Sequence, residues 1–221
     1  HVEINEDTVT FAATDRYRLA VREIQWSPSA PNTSTTALLR ARTIADAAKS
    51  LTGSKNVSLS FAPATSNDRL TGFAGDGKTM TSRMLYGTFS PYRHLLPQEI
   101  TTTALIEVAA LLDSVRRVAL VTDKTVPLRL DFANNTLSLE AGAGEEAQAT
   151  EAIEILLTGE AISIAFNPTF LADGLNAVGT KFVQISFTGS NKPAILMGKS
   201  DKDGAVIENY RYLLMPMRYA S

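Results

Sequence analysis

The chain has 221 residues, with 21 Lys and Arg against 23 Asp and Glu, for a formal net charge of −2. This balance excludes a histone-like polycation that binds phosphate backbones by bulk charge, and 44% apolar residues are enough to bury a core. The absence of cysteine excludes disulfides, thiolate-bound zinc, iron–sulfur clusters and thiol catalysis, while two histidines leave little for a catalytic triad or a histidine metal site.

The first half of the chain is dominated by alternating apolar and polar residues, which is typical of half-buried strands. A stretch rich in Ser, Pro, Asn and Thr at 27–36 predicts a loop. A short Ala-rich helix is predicted at 44–51, ending before Gly53. Asp76-Gly77 is a good hairpin turn. The predicted strands are 9–14, 18–24, 56–62, 69–74 and 78–85.

A proline-containing break at 89–97 predicts a domain boundary, giving domains at 1–97 and 98–221. In the second domain, helical spacing of apolar residues predicts a helix at 104–120, and a proline in the first turn favours another at 168–178. Six strands are predicted around these helices, at 126–132, 136–141, 149–156, 161–166, 182–188 and 193–197, and a last one at 207–215.

An internal repeat relates the two halves. Residues 43–61 and 169–187 align without gaps, with identical pairs such as Gly53 and Gly179, and both have the pattern helix, glycine, strand. Within the second domain the order of predicted elements also repeats, since each helix is followed by three strands. This indicates a strand–helix–strand–strand–strand unit used twice per domain. The first domain then lacks an opening strand and helix, so we expect further residues upstream of His1. The predicted class is α+β, with two helices packed on antiparallel sheet in each domain.

Residues 72–79 satisfy the phosphate-binding pattern of Gly, four residues, Gly-Lys-Thr. A true phosphate-binding loop must open a helix whose N-terminus faces the anion. The residues after Lys78 alternate like a strand, which favours a hairpin tip. A nucleotide hydrolase is therefore kept only as the alternative hypothesis.

Three features of the sequence suggest binding surfaces. Cations cluster around the predicted helices and either complement helix dipoles or meet a polyanion through phosphate contacts. Glu145-Glu146 is interpreted as a solvated turn or an acidic patch facing a basic partner. The end of the chain, 212–219, is unusually apolar, which indicates either a last strand tucked into the core or an apolar groove adaptable to several partners.

Four segments carry a family resemblance that runs the whole length of the chain. Thr14–Ala20 (TDRYRLA) resembles the Thr-Asp-x-His/Tyr-Arg-Leu-Ala motif of the bacterial DNA polymerase III beta subunit, the sliding clamp. Leu214–Arg218 (LMPMR) is similar to the C-terminal signature of that family. Tyr92–Pro97 resembles the stretch that joins the middle and last domains of the family, and Ala165–Leu171 resembles a stretch of the last domain. The family usually has Phe-Pro-x-Tyr at the start of the joining stretch, whereas here Pro91 directly precedes Tyr92, one place later than usual.

The resemblance implies the DNA-clamp fold, with a middle and a C-terminal domain present here. It implies a cytoplasmic, non-catalytic processivity factor that uses no cofactor or metal. Its homodimeric ring is expected to encircle duplex DNA without reading the base sequence. The implied partners are the polymerase III alpha subunit, the clamp loader, and other polymerases and repair proteins. These partners bring short motifs of the Gln-x-x-Leu-Phe kind to a hydrophobic cleft between the two domains. No membrane partner is expected.

The resemblance also implies three sets of residues. For the peptide cleft they are Thr14, Arg16, Tyr17, Arg18, Leu19, Pro91, His94, Leu95, Asn167, Phe170, Pro193, Leu213, Leu214, Met215, Pro216, Met217 and Arg218. For the surface facing DNA they are Arg42, Lys49, Lys55 and Lys181. For the subunit interface they are Ala119, Leu120, Glu145 and Glu146. A third hypothesis, a peptide-binding adaptor without DNA, stays open.

Overall fold

The computed structural model describes residues 1–62, 68–97, 99–121, 126–142 and 148–218. The chain divides into two compact units, His1–Ala13 with Glu23–Pro91, and Thr14–Arg22 with Tyr92–Ser221. The short segment Thr14–Arg22 thus belongs to the second unit although it lies early in the chain. The division into 1–97 and 98–221 stays a prediction.

The first unit combines strands with one helix among its described residues. β1 pairs antiparallel with both β2 and β4, and β5, β6 and β7 form a separate antiparallel sheet. The elements up to residue 91 are β1 (Val2–Asn5), β2 (Thr8–Thr14), β3 (Arg18–Gln25), β4 (Ser34–Ala37), α1 (Ala41–Ser50), β5 (Ser58–Phe61), β6 (Leu70–Gly75) and β7 (Lys78–Arg83). Of these, Thr14 at the end of β2 and Arg18–Arg22 of β3 are counted with the second unit.

The core of the first unit lies under α1. Ala47 and Leu51 pack with Val2, Ile4 and Phe73, all of them at most 7% exposed. The β6–β7 hairpin turns at Asp76 and Gly77, which both have positive φ (45° and 76°), as the sequence predicted. The predicted loop 27–36 ran too far, because Ser34–Ala37 pairs with β1 and becomes a strand.

The second unit uses the predicted strand–helix–strand–strand–strand pattern twice. Two short 3₁₀ segments accompany the regular elements, at Arg93–Leu95 and Ala119–Val121. The regular elements are β8 (Thr102–Glu107), α2 (Val108–Val118), β9 (Leu128–Ala133), β10 (Thr136–Ala141), β11 (Ala149–Glu154), β12 (Leu156–Thr158), β13 (Ile162–Phe166), α3 (Pro168–Val178), β14 (Phe182–Phe187), β15 (Ala194–Lys199) and β16 (Val206–Leu214).

The two repeats of the second unit exchange their opening strands. One sheet runs β12-β8-β14-β15-β16 and then β3, and the other runs β11-β10-β9-β13. β8, from the first repeat, therefore pairs with β14 of the second, while β13 of the second repeat pairs with β9 of the first. The helices pack against each other, with α2 on β10 and β11 and α3 on β15 and β16.

Helical periodicity places these helices against the sheets. α2 buries Leu111, Ser114, Val115 and Val118, a spacing of three and four residues that forms a single stripe. The predicted helix 104–120 began too early, because 104–107 belongs to β8, which is paired on both sides by β12 and β14. Pairing across the sheet thus overrides the local helical pattern.

Candidate functional site

A tight turn before β3 shapes one side of the candidate site. Thr14 Oγ1 donates to the carbonyl of Arg18 (2.7 Å) and accepts from the Arg16 N–H (3.1 Å). Asp15 Oδ1 accepts from the N–H groups of Tyr17 and Arg18, both at 3.1 Å. Arg16 is held at φ 80°, a left-handed conformation that side chains rarely adopt. The turn leaves the Tyr17 ring 58% exposed.

The start of α3 forms the facing side. The Asn167 side chain caps the helix by accepting from the N–H groups of Thr169 (2.9 Å) and Phe170 (3.2 Å), and Pro168 occupies the first turn. This capping fixes Phe170 in the first turn. Its ring centroid lies 6.2 Å from that of Tyr17, with the two planes tilted by 30°. Two aromatic rings from distant parts of the chain therefore lie side by side.

The Arg18 guanidinium connects the turn to the helix. Its Nη1 lies 2.6 Å from Asp173 Oδ2, its Nε lies 2.9 Å from Asp15 Oδ2, and its carbon lies 4.3 Å from the centroid of the Phe170 ring. The same Nη1 donates to the Tyr212 hydroxyl (3.3 Å), which itself donates to the Phe170 carbonyl (2.8 Å). One cation thus links the turn before β3 to α3 and β16.

The protonation states follow from this network. Burial pushes the pKa of Asp15 up, but hydrogen bonds from Arg18 and from the backbone of Tyr17 and Arg18 outweigh it and leave the pKa lowered. Burial acts against the charge of Arg18, yet hydrogen bonds with Asp173, Tyr212 and Asp15 raise its pKa. Burial raises the pKa of Tyr212, and Arg18 opposes that rise. The carboxylate of Asp15, the guanidinium and the neutral phenol therefore coexist at neutral pH.

The apolar end of the chain closes the site. The Met215 N–H donates to the Tyr17 carbonyl (2.9 Å), and the Met217 N–H donates to the Ala165 carbonyl (2.8 Å). Met215 is 40% exposed beside Tyr17. A groove of about 620 Å³ follows this segment, lined by Arg129, Ser163, Ile164, Ala165, Ser190, Asn191, Met215, Pro216, Met217 and Arg218.

Hydrogen bonds and ring contacts thus bring together many of the predicted cleft residues within the second unit. Leu19, Leu213 and Leu214 are at most 3% exposed, so they form the core behind the site and do not line its surface. The remaining predicted cleft residues lie elsewhere along the chain: Pro91 in the first unit, His94 and Leu95 exposed on the 3₁₀ segment, and Pro193 half-buried just before β15.

Sequence reasoning missed Asp173 and Tyr212. Asp173 lies about one helical turn after Phe170, and this three-residue spacing on a predicted helix was the signal that could have placed both side chains on one face. Tyr212 lies in the apolar end segment on β16, where neighbouring side chains alternate between the two faces of the sheet, and this alternation was the available signal.

The cations predicted to face DNA are exposed. The Arg42 side chain is 93% exposed on α1, with its Nε only loosely paired to Asp46 at 3.8 Å. Lys49 is exposed in the last turn of α1, and Lys55 is exposed beyond it. Lys181 Nζ lies 5.4 Å from the Phe182 ring centroid. By contrast, Arg117 on α2 is engaged by Glu151 at 2.6 and 2.7 Å.

The predicted interface residues are described in part. Leu120 is 84% exposed on the 3₁₀ segment that follows α2, next to half-buried Ala119. Glu145 and Glu146 lie outside the described residues. β11 is the outer strand of its sheet, as far as the described residues show.

The phosphate-binding alternative is not supported. Lys78 opens β7, so a strand and not a helix follows the glycine turn, and its Nζ donates to the Ser50 carbonyl (2.8 Å). Among the described residues no helix begins at this turn, so the turn lacks the helix N-terminus that a phosphate-binding loop needs.

Across the part of the chain that the structure describes, no cluster of three or more His, Asp or Glu is arranged to hold a metal ion. Of the described helices, none has both the length and the apolar character needed to cross a membrane.

Solved structures share this fold. The DNA polymerase III subunit beta of Pseudomonas aeruginosa superposes with a TM-score of 0.86 at 24% identity, covering 98% of this chain and 57% of that one. A sliding clamp from the same organism, solved bound to griselimycin, gives 0.86 at 23% identity, covering 99% and 56%. The fold is that of a DNA sliding clamp.

Sequence comparison gives the family. Residues 1–91 match the central domain of the DNA polymerase III beta subunit, and residues 93–218 match its C-terminal domain. The beta sliding clamp of Streptomyces coelicolor is 46% identical over 217 residues, and the beta sliding clamp homolog GriR of Streptomyces muensis is 38% identical over 218. The chain belongs to the DNA polymerase III beta subunit family. These matches cover 98% and 99% of this chain but only 58% of either relative.

Proposed function

We propose that the chain is the middle and C-terminal part of a sliding clamp, a non-catalytic factor that tethers the replicative polymerase to DNA. The observation that carries the proposal is the open aromatic and methionine surface formed by Tyr17, Phe170 and Met215. Exposed apolar side chains on a rigid frame suit short linear peptides, which anchor a few apolar residues while backbone groups set the register.

The frame beneath this surface is rigid for identifiable reasons. The Asn167 cap fixes the first turn of α3, and the backbone bond from Met215 to Tyr17 joins the end segment to the turn before β3. A binding surface ordered before its partner arrives loses less conformational entropy on binding. Short motifs of the Gln-x-x-Leu-Phe kind, from polymerases, the clamp loader and repair proteins, are the proposed ligands.

The peptide part of the proposal is tested with a labelled Gln-Leu-Asp-Leu-Phe peptide by fluorescence anisotropy. Binding with a dissociation constant on the order of micromolar, about −8 kcal/mol, is expected. Met215→Ala removes an exposed side chain at the surface and is expected to weaken binding at least about 10-fold. Met197→Ala, a half-buried methionine of β15, is the matched control and is expected to leave it unchanged. No binding to the folded chain contradicts the proposal.

The DNA part of the proposal rests on Arg42, Lys49, Lys55 and Lys181. Four exposed cations without a base-reading motif suit contacts with phosphates that do not depend on sequence. With a net charge of −2, the whole chain is not a strong polyanion binder. Weak contacts of this kind allow sliding, whereas a tight complex would hold the protein in place. The adaptor hypothesis differs here, because it predicts peptide binding without retention on circular DNA.

Self-association is proposed through the region of Leu120. Leu120 is 84% exposed, and its neighbour Val121 is 36% exposed, so two adjacent apolar side chains reach the surface. Among the described residues β11 is the outer strand of its sheet in the same unit, and an outer strand can pair with another chain. In a homodimeric ring these features meet the other subunit.

A further inference from the structure

Two carboxylates from different parts of the chain converge on the Arg18 guanidinium. Asp15 lies in the turn before β3, and Asp173 lies on α3, 155 positions beyond Arg18. Each uses a different edge of the cation, since Asp15 meets Nε at 2.9 Å and Asp173 meets Nη1 at 2.6 Å. The Arg18 side chain is only 27% exposed, although its partners are 44% and 52% exposed.

The two contacts together fix the plane of the guanidinium. A single ion pair at a surface leaves a long side chain free to rotate and contributes little to stability. Carboxylate acceptors at both Nε and Nη1 leave the guanidinium one orientation, because the arginine fork is planar and rigid. That orientation places the cation 4.3 Å from the centroid of the Phe170 ring.

The held cation limits where the Phe170 ring can lie. Arg18 lies over the ring, and the Tyr212 hydroxyl, which accepts from Arg18, donates to the Phe170 carbonyl. The side chain and the backbone of Phe170 are thus both tied to the same network. The neighbouring Tyr17 ring then completes an aromatic pair whose spacing is set before any partner arrives.

We propose that Asp15 and Asp173 are positioning residues for the peptide site: they hold Arg18 against Phe170 and so preorganise the aromatic surface that a partner peptide binds. The inference rests on the proposed peptide-binding function. Neither carboxylate needs to contact the peptide for this role, since both act through Arg18.

The variants follow from the geometry. Asp173→Asn removes the charge that holds Nη1. Asp15→Asn weakens the contact with Nε but keeps an oxygen at Oδ1 that accepts from the Tyr17 and Arg18 backbone, so the turn is retained. Arg18→Lys keeps the positive charge and loses the planar fork. Glu208→Gln, at an exposed carboxylate on β16 of the same unit, is the matched control for loss of one negative charge.

The experiment measures the affinity of the labelled Gln-Leu-Asp-Leu-Phe peptide and the thermal unfolding midpoint for each variant. Asp173→Asn and Arg18→Lys are each expected to weaken binding roughly 5-fold or more while Glu208→Gln leaves it unchanged. The midpoint is expected to move little, because the pairs are partly exposed. In the double variant Asp173→Asn, Arg18→Lys, the losses of affinity are expected to be far from additive, since both changes break the same interaction.

The outcomes distinguish the positioning role from the peptide site itself. If the unchanged chain binds the peptide and Asp173→Asn behaves like Glu208→Gln, the positioning role is wrong while the peptide site stands. Additive losses in the double variant also contradict it, because they mean that Asp173 acts independently of Arg18. If the unchanged chain does not bind the peptide, the proposed function fails and the positioning role fails with it.

Discussion

The Tyr212 ring packs directly over the Cα of Gly174. A Cβ added at Gly174 would lie 2.5 Å from Tyr212 Cε1 and 2.6 Å from Cδ1, closer than such atoms ever approach. The ring cannot move aside freely, because its hydroxyl is tied to both Arg18 and Phe170. This close approach explains a glycine in the middle of α3, where its backbone freedom otherwise costs stability.

Gly174→Ala is therefore expected to destabilise the second unit by ~1–3 kcal/mol, the usual cost of overpacking, although alanine favours a helix. Peptide binding is expected to weaken as well, since Phe170 shifts with α3. Urea unfolding and the peptide titration measure the two effects. Asn176→Ala, at an exposed position of the same helix, is the control, and a gain in stability for Gly174→Ala contradicts the packing argument.

Substitutions at Leu19 and Met215 are expected to affect different properties, the first the free energy of unfolding and the second the affinity for the peptide. Leu19 is 3% exposed and lies opposite Leu213 in the sheet, so Leu19→Ala is expected to cost ~2–5 kcal/mol of unfolding free energy. Met215→Ala, at 40% exposure, is expected to lose peptide affinity with little change in stability. Denaturant unfolding beside anisotropy makes the comparison, and equal destabilisation of both variants contradicts the assignment of Leu19 to the core.

The Arg117–Glu151 pair predicts a pH dependence of a definite sign. Hydrogen bonds from Arg117 lower the pKa of Glu151 from its ordinary value of 4.5 and outweigh the opposing effect of burial. A carboxyl whose pKa is lower in the folded state stabilises the protein above its ordinary pKa and loses that effect as the pH falls through the folded value.

Glu151→Gln is accordingly expected to be less stable than the unchanged chain at pH 7, with the difference shrinking below about pH 4.5. Free energies of unfolding measured at several pH values give the comparison. The effect is expected to be small and to fall with added salt, because the pair is partly exposed. A difference that is constant down to about pH 3 contradicts this assignment.

Charge reversal on α1 tests the surface proposed to face DNA. The double variant Arg42→Glu, Lys49→Glu is expected to weaken duplex binding equally for different sequences. The slope of log affinity against log salt is expected to fall by about 0.9 for each phosphate that the variant no longer neutralises. Lys192→Glu, at an exposed lysine in the turn before β15, provides a control with the same charge change per site. An unchanged slope contradicts the assignment of α1 to the surface that faces DNA.

Leu120 tests self-association. Leu120→Ser is expected to leave the fold of this chain intact, because the side chain is 84% exposed. In a protein of the relatives' full length, the same substitution is expected to shift the sedimentation equilibrium toward monomer. Leu156→Ser, at another exposed leucine, on β12, is the control. A dimer that withstands Leu120→Ser with unchanged affinity contradicts the interface proposed at this leucine.

Much of the local structure followed from single residues. The helix at 168–178 was predicted from Pro168 in its first turn and from the helix–glycine–strand pattern that contains Gly179. The structure agrees, and it adds that Asn167 caps α3 and that Gly179 ends it in a left-handed conformation with φ 71°. The Asp76-Gly77 hairpin was predicted for the same kind of reason, since few residues accept positive φ. Local backbone chemistry needs no knowledge of distant parts of the chain.

Pairing between distant segments could not be predicted from local patterns. The residues at 104–107 have apolar spacing compatible with a helix, and Ser34–Ala37 looks like loop, yet both become strands because neighbouring strands supply their hydrogen bonds. The exchange of opening strands between the two repeats is of the same kind. A strand is stabilised by its partners, so its identity depends on what packs beside it.

For the candidate site, the motifs in the sequence were enough to indicate the class of protein and the segments involved. The motifs at 14–20, 165–171 and 214–218 carry the resemblance, and alternation, caps and turns placed them on strands and a helix. Which side chains meet depends on how the strands and the helix pack together. This packing buries Leu19, Leu213 and Leu214, leaves Tyr17 and Met215 exposed, and brings Asp173 and Tyr212 to Arg18 across 155 and 194 positions. Those contacts depend on side-chain directions across three elements, which no local pattern specifies.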